Sequence, residues 1–78
     1  MSLVTQMYLL ERYGVRLSIE QLAEILGMSR GALFNRLAKG ECPIATYLDG
    51  GRRYADYRDV ASYFDACRAR AKAEHEDA

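Results

Sequence analysis

The sequence predicts a single, mainly α-helical domain carrying a small β-hairpin. Three observations predict it. Apolar residues recur at helical spacing in four stretches, glycines 14, 27 and 40 fall where the first three of these should stop, and "DGG" at 49–51 separates two short runs suited to strands. With 78 residues, half of them apolar and 28% charged, the chain suits an ordinary globule with a thin core.

Residues 1–14 form the first segment. In "LVTQMYLLERY", Leu3, Met7 and Leu10 share one stripe with Val4 and Tyr8 beside it, while Leu9 falls outside. A helix apolar over more than one face is either nearly enclosed or offers a surface to a second chain. Val15-Arg16-Leu17 reads as an extended link or a brief strand.

Residues 18–40 come next. Ser18 and Gln21 make an S-x-x-Q capping box, and Leu22, Ala23, Ile25 and Leu26 supply a buried face up to the glycine at 27. Ser29 caps a further helix expected to run to about Lys39. A small Ala23 four residues before Gly27, with Leu33 six after it, provides what two closely crossing helices and a tight turn require. This is a helix-turn-helix pattern, with Arg36 standing where an aliphatic residue is common and Leu37 expected to take over its packing.

Pro43 disfavours continued helix, so residues 43–55 read as a hairpin with strands Ile44–Leu48 and Arg52–Ala55. Asp56 caps a last helix over 56–73, along which Val60, Phe64, Cys67 and Ala71 follow one face. Residues 74–78, "EHEDA", are expected to fray. A helix-turn-helix followed by a two-stranded ribbon and a helix is the order of a winged helix-turn-helix.

Net charge is zero, but its distribution is uneven. Residues 1–27 hold two basic and three acidic side chains, 28–58 hold six and three, and 59–78 hold three and five. The middle of the chain is therefore a local cationic patch, the electrostatic footprint a nucleic acid would meet.

"LAKGECPIATYLDGGRRYADYRDVASYFD" resembles the wing and closing helix of excisionase/AlpA-type small winged-helix proteins, related to the MerR-type DNA-binding domain. The matching elements are Gly40-Glu41-Cys42-Pro43, Arg52-Arg53-Tyr54 and the stretch from Asp56 to Phe64. "MYLLERYG" is similar to a segment of pyocin-activator-type phage regulators. The resemblance spans about residues 5–66. It implies a DNA-binding protein of phage or mobile elements, acting as a transcriptional regulator or as a recombination directionality factor.

On that reading helix 30–39 enters the major groove. Arg30 would pair with guanine and Asn35 with adenine, and Ser29 with the helix N-terminus would meet a phosphate. Gly31 would allow close approach, and Arg36 and Lys39 would hold backbone phosphates. Phe34 would touch a thymine methyl or, with more weight, pack against the wing or core. Arg52 and Arg53 would point to opposite faces of the wing, at least one reaching phosphates or the minor groove. Tyr54 is expected in the core and Arg58 in a pair with an acid.

One such domain has few cations, so a homodimer or cooperative assembly on double-stranded DNA is expected, with a recombinase or RNA polymerase as further partners. The competing reading is an adaptor that docks on such a protein without touching DNA, using Leu3, Met7, Leu9 and the acidic tail. No catalytic residues, cofactor or metal site is expected, since histidine–nucleophile pairs, phosphate-binding glycine loops and clustered ligands are lacking. Cys42 and Cys67, without CxxC spacing, read as small half-buried hydrophobes in a reducing cytoplasm, with a mutual disulfide as the alternative. No apolar run approaches the ~20 residues of a membrane span, and no secretory signal is evident, so a cytoplasmic, nucleoid-associated protein is expected.

Overall fold

A computed structural model describes residues 2–77. It is mainly helical, with a small three-stranded antiparallel sheet: α1 (Leu3–Tyr13), β1 (Arg16–Ser18), α2 (Ile19–Leu26), α3 (Arg30–Ala38), β2 (Tyr47–Asp49), β3 (Arg52–Asp56) and α4 (Tyr57–Asp77).

The short link after α1 is a strand. β1 pairs with β3 through Arg16↔Asp56, Leu17↔Ala55 and Ser18↔Tyr54, which places β3 in the centre of the order β1-β3-β2. Alternation then turns Leu17 and Ala55 inward, and both are fully buried. The amide of Tyr57 donates to the Val15 carbonyl at 3.1 Å, so the same seam continues to the start of α4.

The hairpin is shorter on its first side than Ile44–Leu48. Only Tyr47–Asp49 lie opposite β3, paired with Arg52–Tyr54. Residues 44–46 would have to pair beyond Tyr54, where β3 soon ends and α4 begins, so Ile44 is buried in the core from irregular backbone instead. Gly50 and Gly51 form the two-residue turn with φ of 61° and 80°, the doubly positive combination that keeps the strands' twist.

The capping box of α2 is complete: the Ser18 hydroxyl accepts from the Gln21 amide at 3.2 Å and the Gln21 side chain accepts from the Ser18 amide at 2.9 Å. Gly27 ends α2 in the left-handed conformation with φ 71°, and the Met28 amide then donates back to the Ala23 carbonyl at 3.0 Å. Ser29 caps α3 by accepting from Ala32 at 3.1 Å. The core comprises Leu9, Leu17, Ile19, Leu22, Ala23, Leu33, Ile44, Ala55, Val60 and Ala61.

Two sequence expectations are settled by the packing. Of the two alternatives for α1, near enclosure does not hold: the stripe of Leu3, Met7 and Leu10 faces outward and Leu9 alone on the helix is buried, Leu3 being 68% exposed, Val4 77%, Met7 59% and Tyr8 55%, against 0% for Leu9. On the inner side of α1, Leu9 and the half-buried Tyr13 pack against the core. Leu9 therefore cannot serve a docking adaptor. At the other end, residues 74–77 remain in α4 rather than fraying, because alanine, lysine and glutamate favour helix and no glycine or proline stops them. Ala78 lies outside the described residues.

Along α4, Val60 is buried, Phe64 and Cys67 are half-buried, and Ala71 is already exposed, so the predicted face leaves the core after Cys67. Both cysteines are free thiols, and that of Cys42 donates to the Ile44 carbonyl at 3.3 Å. Among the described residues, no helix is long and apolar enough to cross a membrane.

Truncating Leu9 to alanine should cost about 2–5 kcal/mol in urea unfolding, whereas Met7→Ala on the same helix should stay within about 0.5 kcal/mol. Equal costs would place the helix in the opposite orientation. A second expectation concerns Asp56, whose carboxylate accepts from the Arg58 side chain at 2.9 and 3.0 Å and from its amide at 2.8 Å. These bonds, the guanidinium's first, hold the Asp56 pKa below the ordinary value. The stabilisation is complete above the unfolded value near ~3.9 and is lost as pH falls through the lower folded value. Asp56→Asn should thus be less stable than wild type at neutral pH, the difference closing in acid.

Candidate functional site

α3 stands out from the body. Of its nine residues only Leu33 is buried and Leu37 half-buried, and all the others are exposed. Leu37 packs on the core in the way the Arg36 substitution requires, leaving Arg36 in solvent. Helical spacing carries Gly31, Asn35 and Lys39 along the side away from Leu33, at steps of four. Arg30 lies on one flank of that stripe and Arg36 on the other, towards α4 and within electrostatic reach of Tyr63.

The flank of Arg30 borders a cleft of about 400 Å³ between the start of α2, the first half of α3 and the hairpin. Arg30, Phe34, Leu48, Arg52 and Arg53 line it, together with Glu20. The structure thus brings three of the predicted cations to one cleft, while Asn35, Arg36 and Lys39 lie outside its lining. Ser29 stands exposed at the N-terminus of α3, its hydroxyl engaged as the cap.

The cations differ in what holds them. The Arg30 guanidinium lies 3.3 Å from the Glu20 carboxylate and 5.2 Å from the Phe34 ring centroid. Both members of the ion pair are more than half exposed, so it is readily exchanged for another anion. Arg53 donates to the Thr46 hydroxyl at 3.0 Å, which ties the hairpin to the irregular segment before it. Arg36, Lys39 and Arg52 have no ion pair among the described residues. Strand alternation separates Arg52, on the side of Tyr54, from Arg53, on the side of Ala55.

Phe34 is 44% exposed and borders the cleft, so it is neither in the core nor withdrawn behind the hairpin. Tyr54 is half-buried on the outer face of the sheet instead of in the core: the Arg16 guanidinium stacks 3.7 Å over its ring and Tyr47 lies 6.2 Å away. Arg16 also pairs with Asp49 of β2, so it clamps both edge strands across β3. Sequence reading missed Arg16 and Glu20 because both act through partners distant in the chain. The only available signal for Arg16 was its alternation with the inward Leu17.

The surface offers charged and amide groups on a projecting helix, with a cationic hairpin beside it. Such groups bind anions and polar edges. The described residues include no cluster of three or more side chains suited to holding a metal ion. No protein-family model, characterised protein or solved structure matches this chain.

Gly31 has a particular place in this surface. A Cβ added there would meet nothing within 4 Å, and its φ is not in the left-handed region, so the fold itself does not demand glycine. Gly31→Ala should raise thermal stability modestly, by roughly 0.5 kcal/mol, since alanine favours the helix. A loss of stability would show an intramolecular need for the glycine.

Proposed function

We propose that the chain is a winged helix-turn-helix protein that binds double-stranded DNA sequence-specifically, with α2 and α3 as the helix-turn-helix and β2–β3 as the wing. The observation that carries the reading is the exposure of α3: a helix with one buried side chain presents glycine, asparagine and cations to solvent beside a hairpin with two further arginines. The major groove, about 12 Å wide, admits a helix of this kind.

Gly31 and Asn35 face outward where base edges would lie, and the absence of a side chain at 31 lets the backbone come close. Asn35 can hold adenine through two hydrogen bonds, and Arg30, released from Glu20, can hold guanine. Lys39 and Arg36 flank the groove helix and suit phosphates, which set position rather than sequence. Arg52, at the wing's turn and without an ion pair, suits the adjacent phosphates or minor groove. The excisionase/AlpA-type resemblance supports the same reading and extends it to transcriptional regulation or to control of recombination direction in a phage or mobile element.

Selection from random duplexes, followed by fluorescence anisotropy on the selected and scrambled sequences, tests this. Asn35→Ala and Arg30→Ala should each relax the preference at one position by about 1–3 kcal/mol. Lys39→Ala should weaken binding to every duplex alike and reduce the salt slope by about 0.9 from a starting value of roughly −3 to −5. Absence of any enriched sequence, or equal sequence-blind losses from all three variants, would remove the base-reading role.

A further inference from the structure

We infer that the outward face of α1 is the contact surface for a second copy of this chain, the two α1 helices packing antiparallel about a two-fold axis. The inference stands apart from the DNA reading, and its test contains no DNA.

Leu3, Met7 and Leu10 recur at steps of four and three, the spacing of a helix–helix seam. All three are exposed, as are Val4 and Tyr8 beside them. The helix is anchored from its other side: Leu9 is buried, and the Ser2 amide donates to the Asp65 carboxylate of α4 at 3.0 Å. Its apolar seam is therefore held rigidly towards solvent.

Area and charge both favour a second copy as the occupant. Leu3, Val4, Met7 and Tyr8 together expose on the order of 500 Å², in the upper part of the range for the largest apolar patch on a monomer, which is often functional. Two copies covering this patch reach on the order of 1,000 Å² in total, the lower bound of a specific interface. In an antiparallel pair Leu3 of one copy meets Leu10 of the other, with Met7 near the axis. Glu11, the acid on the same outward side, then approaches the N-terminus of the opposite α1. That first turn carries no acidic residue of its own; Asp65 meets the Ser2 amide from the α4 side, and Glu11 approaches the same positive helix end from the outward side.

Sedimentation equilibrium of the full chain from about 1 μM to about 1 mM spans the affinities of so small an interface. The mass should rise towards twice the monomer with concentration. Met7→Glu and Val4→Asp, both at exposed positions, should each weaken association at least tenfold while far-UV circular dichroism stays unchanged. Glu11→Lys should weaken it less. Leu48→Glu, at an exposed apolar position on the hairpin, should dimerise as wild type does. A wild-type chain that stays monomeric throughout would overturn the inference. So would a dimer that survives Met7→Glu and Val4→Asp, or one that Leu48→Glu abolishes equally.

Discussion

The three-residue pairing of β1 with β3 is the constraint on which the rest of the molecule depends. A two-stranded ribbon alone is marginal in water. Here β3 gains a second partner from a segment before the helical pair, and the buried Leu17–Ala55 contact sits at the middle of that pairing. Ser18 ends β1 and caps α2 in the same residue, so the strand fixes where α2 begins. Through the turn at Gly27 it thereby fixes α3. Asp56 ends β3 at the start of α4, and Arg16 reaches from β1 over Tyr54 to Asp49. The position of the projecting helix relative to the hairpin is therefore set by a short strand that carries none of the predicted DNA-contacting residues.

Local signals made much of this legible. The capping box at Ser18, the caps at Ser29 and Asp56, and the glycine turns are chemistry between near neighbours, and they set the helix boundaries in the sequence as they do in the structure. Pairings between distant segments were less accessible. Arg16–Asp49 and Arg30–Glu20 depend on which elements meet, and periodicity carries no information about that. The orientation of α1 shows the same limit more sharply. Spacing identified its apolar stripe correctly but could not say which side the body would take. Leu9 and Tyr13 face inward because α4 and β1 meet the helix on that side, a fact of assembly rather than of the helix. The early end of the ribbon before Tyr47 likewise follows from where α4 starts.

The zero net charge conceals a division of labour. Each basic residue of the hairpin and its flanks that meets a defined partner serves shape: Arg16 clamps the sheet, Arg53 ties the segment before β2, and Arg58 holds the acid that joins β3 to α4. Among the described residues, the remaining cations without an ion pair fall in two groups: Arg36, Lys39 and Arg52 on or beside α3 and at the hairpin turn, and Arg68, Arg70 and Lys72 along α4. Acidic side chains accumulate at the far end of α4, where the helix dipole is already negative. Opposite fields thus mark different parts of a chain whose formal charges cancel.

Among the described residues, ten are buried in the core, and five of the nine exposed large apolar side chains sit on α1. A domain with so little interior carries a narrow margin over its unfolded ensemble. Any partner that engages only the folded form adds its binding free energy to that margin by mass action. Occupancy then becomes a determinant of lifetime: the unengaged chain opens more often and is exposed to proteases in proportion, while the engaged chain is protected. The thin interior thus couples the protein's abundance to the state of its surfaces.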